Sequence, residues 1–585
     1  MKELKQLNKY FIKYKYRFIL GIAITIASQV FSVFTPSFVG NIISALYDFH
    51  KSIVSSENVK ELIIKNVLLI LGTTLIAGFF TFLMRQTLIV MSRHIEFDLK
   101  NEIYKQYQNL SQSFYKRNKT GDLMSRISED VGKVRQYVGP AVMYSVNTAI
   151  RMTVVIVQMY VTSPELTLYA LLPVPFLAYV MMRLSKEINK RSFLYQQNLS
   201  RLSSFSQEIF SGIRVIKAYA LENEKDKEYE KITTESKNIF MRLAKANAMI
   251  GPLMVLIIGI SNLLVIYIGA KLFMNGTITE IGIIAQFILY INMLTWPIAS
   301  LGWVSTMIQE ADSSQKRINE FLNEKPEIVN NVSSNTPIEG KIEFRDVTFV
   351  YEDTNIQALT NVSFTLEQGK TLAILGKTGS GKSTILNLIS RLYDTTSGEI
   401  LIDDTNIKNI NLNNLRNETA MVPQDAFLFS DSIKNNIKFG KEDATDEEIE
   451  HFTKLADVHK NIVKFEKKHD TILGERGLTL SGGQKQRVSI ARALIKDPKI
   501  LLLDDCLSAV DTETEETILN NLQQLTKNKT TIIVTHRVSS AKNANLILIL
   551  EDGKIIEKGS HTELIEKNGY YKELYFKQLS EKEIS

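Results

Sequence analysis

A chain of 585 residues is too long for one ordinary domain. Its net charge of +6 and hydrophobic content of 45% lie within the ordinary range, and a single cysteine, Cys506, excludes an intrachain disulfide framework and fits a reducing compartment. The Lys and Arg residues are dispersed or flank apolar runs, which argues for membrane topology and against a nucleic-acid partner.

Met1–Arg17 interleaves Lys2, Lys5, Lys9, Lys13, Lys15 and Arg17 with Tyr10, Phe11, Tyr14 and Tyr16, the pattern of an interfacial helix. Phe18–Tyr47 then runs without a charge and is too long for a secretory signal core, so it reads as a retained first span. Val67–Met84, Val138–Thr162, Leu166–Met182, Ala246–Ala270 and Ile281–Gln309 are the other five candidates. The N-terminus, Met91–Gln136 and Arg183–Lys245 carry most of the basic residues of this half. The positive-inside rule therefore places both termini and these two long loops in the cytoplasm of a multi-pass protein of the cytoplasmic (inner) membrane. Pro36, Pro173, Pro175 and Pro297 fall inside spans and are expected to kink helices rather than end them.

Ser92–Leu110 and Ser185–Glu230 keep helical apolar spacing, so the membrane helices are predicted to continue into the cytoplasm. Each loop contains a polar, glycine-marked turn, Phe114–Asp130 and Glu208–Glu222, which on pattern alone is a solvated helical hairpin. Asn323–Gly340, with Pro326, Pro337 and several Asn and Ser, reads as a linker. Lys341–Phe349 and Leu359–Leu366 alternate as strands do, and strands and helices then follow in turn to about Gly559. The expected organisation is a helical membrane domain over 1–322, a linker over 323–340 and an α/β nucleotide domain over 341–585.

The chemistry centres on Gly376–Ser383, G-K-T-G-S-G-K-S, which fits G-x-x-x-x-G-K-[ST] between the strand-like Leu372–Leu375 and the helical Thr384–Leu392. In such a loop the backbone of Gly376, Lys377, Thr378, Gly379, Ser380 and Gly381 curls around phosphate, and the helix start at Thr384 adds positive potential. Lys382 would reach the β- and γ-phosphates, and Ser383 would hold Mg²⁺. Ile500–Asp505, I-L-L-L-D-D, is a buried-strand run whose Asp504 is placed to bind the Mg²⁺ of a bound nucleotide through water. Leu480–Gln484, L-S-G-G-Q, precedes the helical Lys485–Leu494, so Ser481, Gly482, Gly483 and Gln484 form a second anion site. One domain has no use for two γ-phosphate sites, whereas two copies facing each other do.

These motifs, in this order, resemble an ATP-binding cassette exporter half-transporter over nearly the whole chain. The resemblance implies an all-α six-helix transmembrane domain with long cytoplasmic extensions, then an α/β P-loop nucleotide-binding domain, using ATP and Mg²⁺. It implies that Tyr351 stacks on adenine, that Gln424 in V-P-Q-D lies near Mg²⁺, and that His536 in T-H-R meets the γ-phosphate. Gly474–Gly477 resembles the segment that communicates with the membrane helices, and Ser508–Asp511 resembles the loop that crosses the dimer interface. By the same resemblance 114–130 and 208–222 become coupling regions. Taken singly, Tyr351, Gln424 and His536 would read as packing or surface residues; their order removes that reading.

The chain departs from the family at Asp505, where the usual residue is the Glu that polarises the attacking water. One methylene fewer draws the carboxylate back by about 1.5 Å, and catalytic geometry tolerates little misplacement. Taken alone, Asp for Glu reads as a tolerated conservative swap; beside an intact L-S-G-G-Q it resembles the degenerate-site subunit of heterodimeric multidrug-type exporters. Arg85, near the cytoplasmic end of the second span, can snorkel. Arg151, mid-way through the third, lines a substrate path or pairs with a polar group on a neighbouring helix.

The expected function is ATP-driven export of lipophilic or amphipathic substrates, with a second half-transporter as partner, a heterodimer before a homodimer. Membrane lipid is the other contact. A homodimeric lipid flippase and a membrane-anchored regulatory cassette ATPase are the alternatives; the second needs only one span as an anchor.

Overall fold

The computed structural model describes residues 2–584 apart from 475, 476, 478, 526 and 527. The described residues form two compact units. One contains the chain up to Gln108 together with Gly121–Glu324, and the other contains Asn109–Thr120 with the chain from Lys325 onward.

In the first unit six helical segments are long and apolar enough to cross a membrane, among the described residues. They are Lys15–His50, Ser56–Asn109, Thr120–Thr162, Pro164–Ser211, Glu222–Met274 and Gly282–Leu322. Apolar side chains and a backbone that must bond to itself in lipid leave the helix as the available form. The 54 residues of the second segment would span about 80 Å, far beyond a hydrocarbon core of about 30 Å. The excess continues the helices past the apolar runs, as the spacing in the two loops predicts. Only 6% of the most apolar window of that segment is buried, and Leu75 and Phe79 are exposed. That surface suits lipid.

The first and sixth segments touch where two glycines meet. A Cβ on Gly282 would lie 1.9 Å from the Gly40 carbonyl oxygen, so no side chain fits there, and the Gly282 N–H donates to Ser44 Oγ at 3.0 Å. The N-terminal stretch packs onto the second segment's extension. Lys9 donates to Glu102 and Lys13 to Asp98, each at 2.6 Å, while Leu7 and Tyr10 are buried.

None of the four prolines ends a membrane-length segment. Pro36 and Pro297 lie inside continuous helices. Pro173 falls in a two-residue turn between Pro164–Leu171 and Val174–Ser211, and Pro175 lies in the first turn of the latter; Leu172 and Pro173 keep right-handed helical dihedrals, so 164–211 continues as one kinked segment. Two missing N–H donors within three residues interrupt the hydrogen-bond ladder there.

The second unit holds two sheets. β1 (Ile342–Tyr351), β2 (Ile356–Leu366), β4 (Ser397–Ile402) and β5 (Thr405–Asn406) form an antiparallel sheet in the order β2-β1-β4-β5. β3 (Thr371–Gly376), β6 (Thr419–Val422), β7 (Ile500–Asp504), β8 (Thr530–Val534), β9 (Leu546–Glu551) and β10 (Lys554–Gly559) form the other, in the order β10-β9-β3-β8-β7-β6. It is parallel except at β10, and all five residues of β7 and of β8 are buried. A strand covered on both faces reads as a continuous apolar run, which is why Ile500–Leu503 carries no alternation.

Asn109–Thr120 belongs to this unit although it lies in the middle of the helical half of the chain. Its short helix Gln112–Arg117 buries Phe114, and Arg117 donates to Glu327 at 2.8 Å. This part of the first turn is therefore packed rather than solvated. In the second turn Phe210 and Tyr219 are both 74% exposed.

Candidate nucleotide site

The site lies outside the carboxyl ends of the parallel strands, where loops must leave the sheet and their backbone groups are free to bind. β3 runs directly into the phosphate loop, and helix Lys382–Ile389 follows it. Asp504 ends β7, Gln424 stands just beyond β6, and His536 just beyond β8. Four strand ends thus deliver their residues to one cleft of about 400 Å³. Its walls include Tyr351, Thr378, Gly379, Gly381, Lys382, Ser383, Thr384, Gln424, Asp504, Asp505 and His536.

The loop needs glycine for two different reasons. Gly381 has φ +97°, and a Cβ there would come 2.3 Å from the Ala358 carbonyl oxygen. Gly379 has φ +84° with nothing within 4 Å of a Cβ position, so the loop leaves open space there. Phosphate oxygens fit that space.

Lys382 is buried, and its ammonium donates to the Gly376 oxygen at 2.8 Å and the Lys377 oxygen at 2.7 Å. Burial lowers its pKa, and the charges of Asp505 and Asp504 act against that shift. Ser383 Oγ donates to Asp504 Oδ1 at 2.8 Å. Burial raises the pKa of Asp504, the neighbouring Asp505 adds to the rise, and the Ser383 bond opposes it. Burial also raises that of Asp505, against the pull of His536 and Lys382. Uncompensated carboxylates crowded beside a buried lysine suit a site completed by a charged ligand. The Ser383 hydroxyl, the Asp504 carboxylate and the Gln424 side chain are hard oxygen donors of the kind Mg²⁺ takes alongside nucleotide phosphates. No cluster of three or more His, Cys, Asp or Glu fit to hold a metal alone occurs among the described residues.

The remaining residues divide. The Lys377 side chain turns away to Glu551 at 2.8 Å, leaving only its backbone for the loop. Ser380 Oγ is buried without a hydrogen-bond partner among the described residues. Ser481, Gly482, Gly483 and Gln484 do not line the cleft. They open helix Gly482–Leu494, with Ser481 Oγ accepting from the Gln484 N–H and Gln484 Oε1 accepting from the Ser481 N–H. Ser481 and Gly482 are exposed, so this turn is finished as a helix cap yet open outward. Of Gly474–Gly477, residues 475 and 476 lie outside the described residues. Ser508 and Asp511 are exposed, and Asp511 accepts from the Thr514 N–H at 3.0 Å.

Asp505 sits at φ +44°, in the left-handed region that Asp enters more readily than longer residues. Its N–H donates to the Val534 oxygen at 2.9 Å, which ties this backbone to β8.

Sequence reasoning missed Lys116 and Tyr393. The Lys116 ammonium stands 4.1 Å from the Tyr351 ring centroid, and Tyr393 meets Tyr351 edge-on at 5.5 Å. Burial pushes the Tyr393 hydroxyl up to about 12. Nothing in the spacing of a lysine more than two hundred residues away could have pointed to that ring.

A parallel-sheet cleft of this kind, on a chain with six spanning helices, defines a membrane protein powered by a nucleotide. Residues 18–298 match the model of the ABC transporter transmembrane region, and 359–508 match that of the ABC transporter family. The chain is 34% identical over 581 residues to the Multidrug resistance-like ATP-binding protein MdlA of Escherichia coli (strain K12), covering 98% of this chain and 96% of that one. It is 33% identical to the Probable multidrug resistance ABC transporter ATP-binding/permease protein YheI of Bacillus subtilis (strain 168), over 98% and 97% of the two chains. A Putative multidrug export ATP-binding/permease protein of Staphylococcus aureus (strain NCTC 8325 / PS 47) is 34% identical, over 97% and 98%. The chain belongs to the ABC transporter family. It is a multi-pass membrane protein that binds ATP and couples its hydrolysis to transport, and transporters of this exporter type work as dimers.

Proposed function

We propose that this chain is one half of a heterodimeric exporter that moves lipophilic or amphipathic compounds outward across the cytoplasmic membrane. The observation that carries this reading is the division of the nucleotide groups: the phosphate loop faces its own cleft, while Ser481–Gln484 opens outward from it. Each ATP is then clamped between the phosphate loop of one subunit and the L-S-G-G-Q of the other. Tyr351 stacks on the base, taking the face that Lys116 covers here, and Lys382 with the loop N–H groups holds the β- and γ-phosphates. Bound Mg²⁺, held by Ser383, Gln424 and Asp504, would neutralise phosphate charge. His536 contacts the γ-phosphate. Both termini and the nucleotide unit lie in the cytoplasm, and the exposed second turn, with Phe210 and Tyr219, docks on the partner's nucleotide unit.

Asp505 makes this chain's own site the weak one, because its carboxylate falls short of a water attacking the γ-phosphate. Purified alone, the chain is expected to bind ATP and turn it over slowly. With a Glu-bearing partner, turnover should rise by on the order of 10²–10⁴, the worth of a well-placed general base. Asp505→Asn should then change the rate of the assembly by less than about twofold. Brisk hydrolysis by a homodimer, abolished by Asp505→Asn, would instead make Asp505 an ordinary catalytic carboxylate and favour the homodimeric flippase.

A further inference from the structure

Arg151 is the one charged residue in the six apolar runs Phe18–Tyr47, Val67–Met84, Val138–Thr162, Leu166–Met182, Ala246–Ala270 and Ile281–Gln309. Helix Val142–Thr162 sets it about 16 Å from the Thr162 end, close to the middle of a core about 30 Å thick. Two neutral amides hold it in place. Arg151 Nε donates to Gln29 Oε1 at 2.8 Å, and Gln29 Nε2 donates to Asn147 Oδ1 at 2.7 Å. Those bonds orient the guanidinium but leave its charge unbalanced, and no ion pair involves Arg151 among the described residues. The residue is only part-buried, and among the described residues its terminal nitrogens make no hydrogen bond. A bare cation at this depth is costly, and such residues persist where an anion meets them.

The same helix face offers an apolar seat. Tyr144 stands two turns before Arg151, about 10 Å away along the axis, and packs at 5.2 Å against Trp303 of the sixth segment. Trp303 is 49% exposed. It also lines a cavity of about 830 Å³ walled by Met181, Met182, Ile298 and Leu301, with Lys186 and Gln309 among its polar residues, large enough for the body of a drug-sized molecule. A fixed cation about 10 Å along the helix axis from the Tyr144–Trp303 pair matches a molecule with an acid group at one end and an aromatic or aliphatic body at the other.

We propose that Arg151, held by Gln29 and Asn147, binds the acid group of the transported molecule, and that the substrate class is amphipathic anions. This names the substrate of the export reading and rests on it. The guanidinium can bind a carboxylate or sulfonate through two parallel N–H donors, while the Nε bond to Gln29 keeps the fork aimed.

The test uses the full chain with its co-purifying partner, in detergent and in inside-out vesicles. Pyrenebutyrate, its methyl ester and pyrenebutylamine share one apolar body and differ in charge. Probe fluorescence reads binding without turnover. Wild type should bind the carboxylate about tenfold tighter than the ester, from a charge-assisted contact shielded from water. Arg151→Lys should keep part of that preference and Arg151→Gln should erase it. Equal binding of all three probes by wild type overturns the proposal, as does a preference that survives in Arg151→Gln. Loss of the second chain from Arg151→Gln but not from Arg151→Lys also overturns it, because Arg151 then answers a carboxylate of the partner. Where a variant does not fold, the wild-type ranking of the three probes decides. Preferential binding of the carboxylate with no ATP-driven uptake of any probe leaves the acid site standing and sinks the export reading instead.

Discussion

The phosphate loop and the Ser481–Gln484 turn are made of the same materials, glycines and a serine at a helix start, yet the fold sets them to opposite uses. The loop closes on a cleft where Lys382, Ser383, Asp504, Asp505, Gln424 and His536 converge. The turn satisfies its first N–H groups with its own Ser481 and Gln484 side chains and stays exposed. The turns 114–130 and 208–222 show the same contrast, Phe114 being 5% exposed while Phe210 is 74% exposed. A chain with one finished and one open example of each feature is built to be completed by another.

The sharpest way to break this comparison is Lys382→Ala. The ammonium that the loop holds through the Gly376 and Lys377 oxygens would no longer be there to meet phosphate, so nucleotide affinity at the loop of the isolated chain should fall about 100-fold, read by photo-cross-linking of labelled ATP. Ser481→Ala in the same assay should bind as wild type. A loop that labels equally well in Lys382→Ala would mean the nucleotide sits elsewhere.

In the assembled exporter the order reverses for Ser481. Ser481→Ala should slow steady-state hydrolysis by about tenfold or more, since it removes a γ-phosphate contact from the partner's site. Unchanged turnover would reduce Ser481 to a helix cap. A third variant separates base from phosphate recognition. Lys116→Ala uncovers the Tyr351 ring and should tighten ATP binding by about two- to fivefold, the worth of an exposed cation–π contact, without changing inorganic triphosphate binding. Equal effects on both ligands would show that Lys116 acts on phosphate. The smallest effect is the pH dependence. Mg²⁺ needs deprotonated carboxylates, and burial raises the pKa of Asp504 and of Asp505. Mg²⁺-dependent nucleotide binding should therefore weaken on acidification at a higher pH than free aspartate titrates, by less than about tenfold between pH 7 and pH 5.5. Calorimetry in matched buffers would show it, and a loss confined to the ordinary aspartate range would remove the raised carboxylates from the argument.

The spans, the phosphate loop and the run ending in Asp504 could be read from the chain because each is local. Hydropathy sums over consecutive residues, and a phosphate loop is eight residues whose backbone does the binding. Helix continuation beyond the membrane was equally legible from the apolar spacing of Ser92–Leu110 and Ser185–Glu230. The local loss of helical hydrogen bonding at Leu172 and Pro173 was not, because pattern alone does not say which neighbours compensate for a missing donor. Burial of Phe114, the seat of Lys116 on Tyr351, the bond from Arg151 to Gln29 and the outward face of Ser481 all depend on residues far apart in the chain. Local periodicity carries no information about such pairings; only the packed helices and sheets decide them.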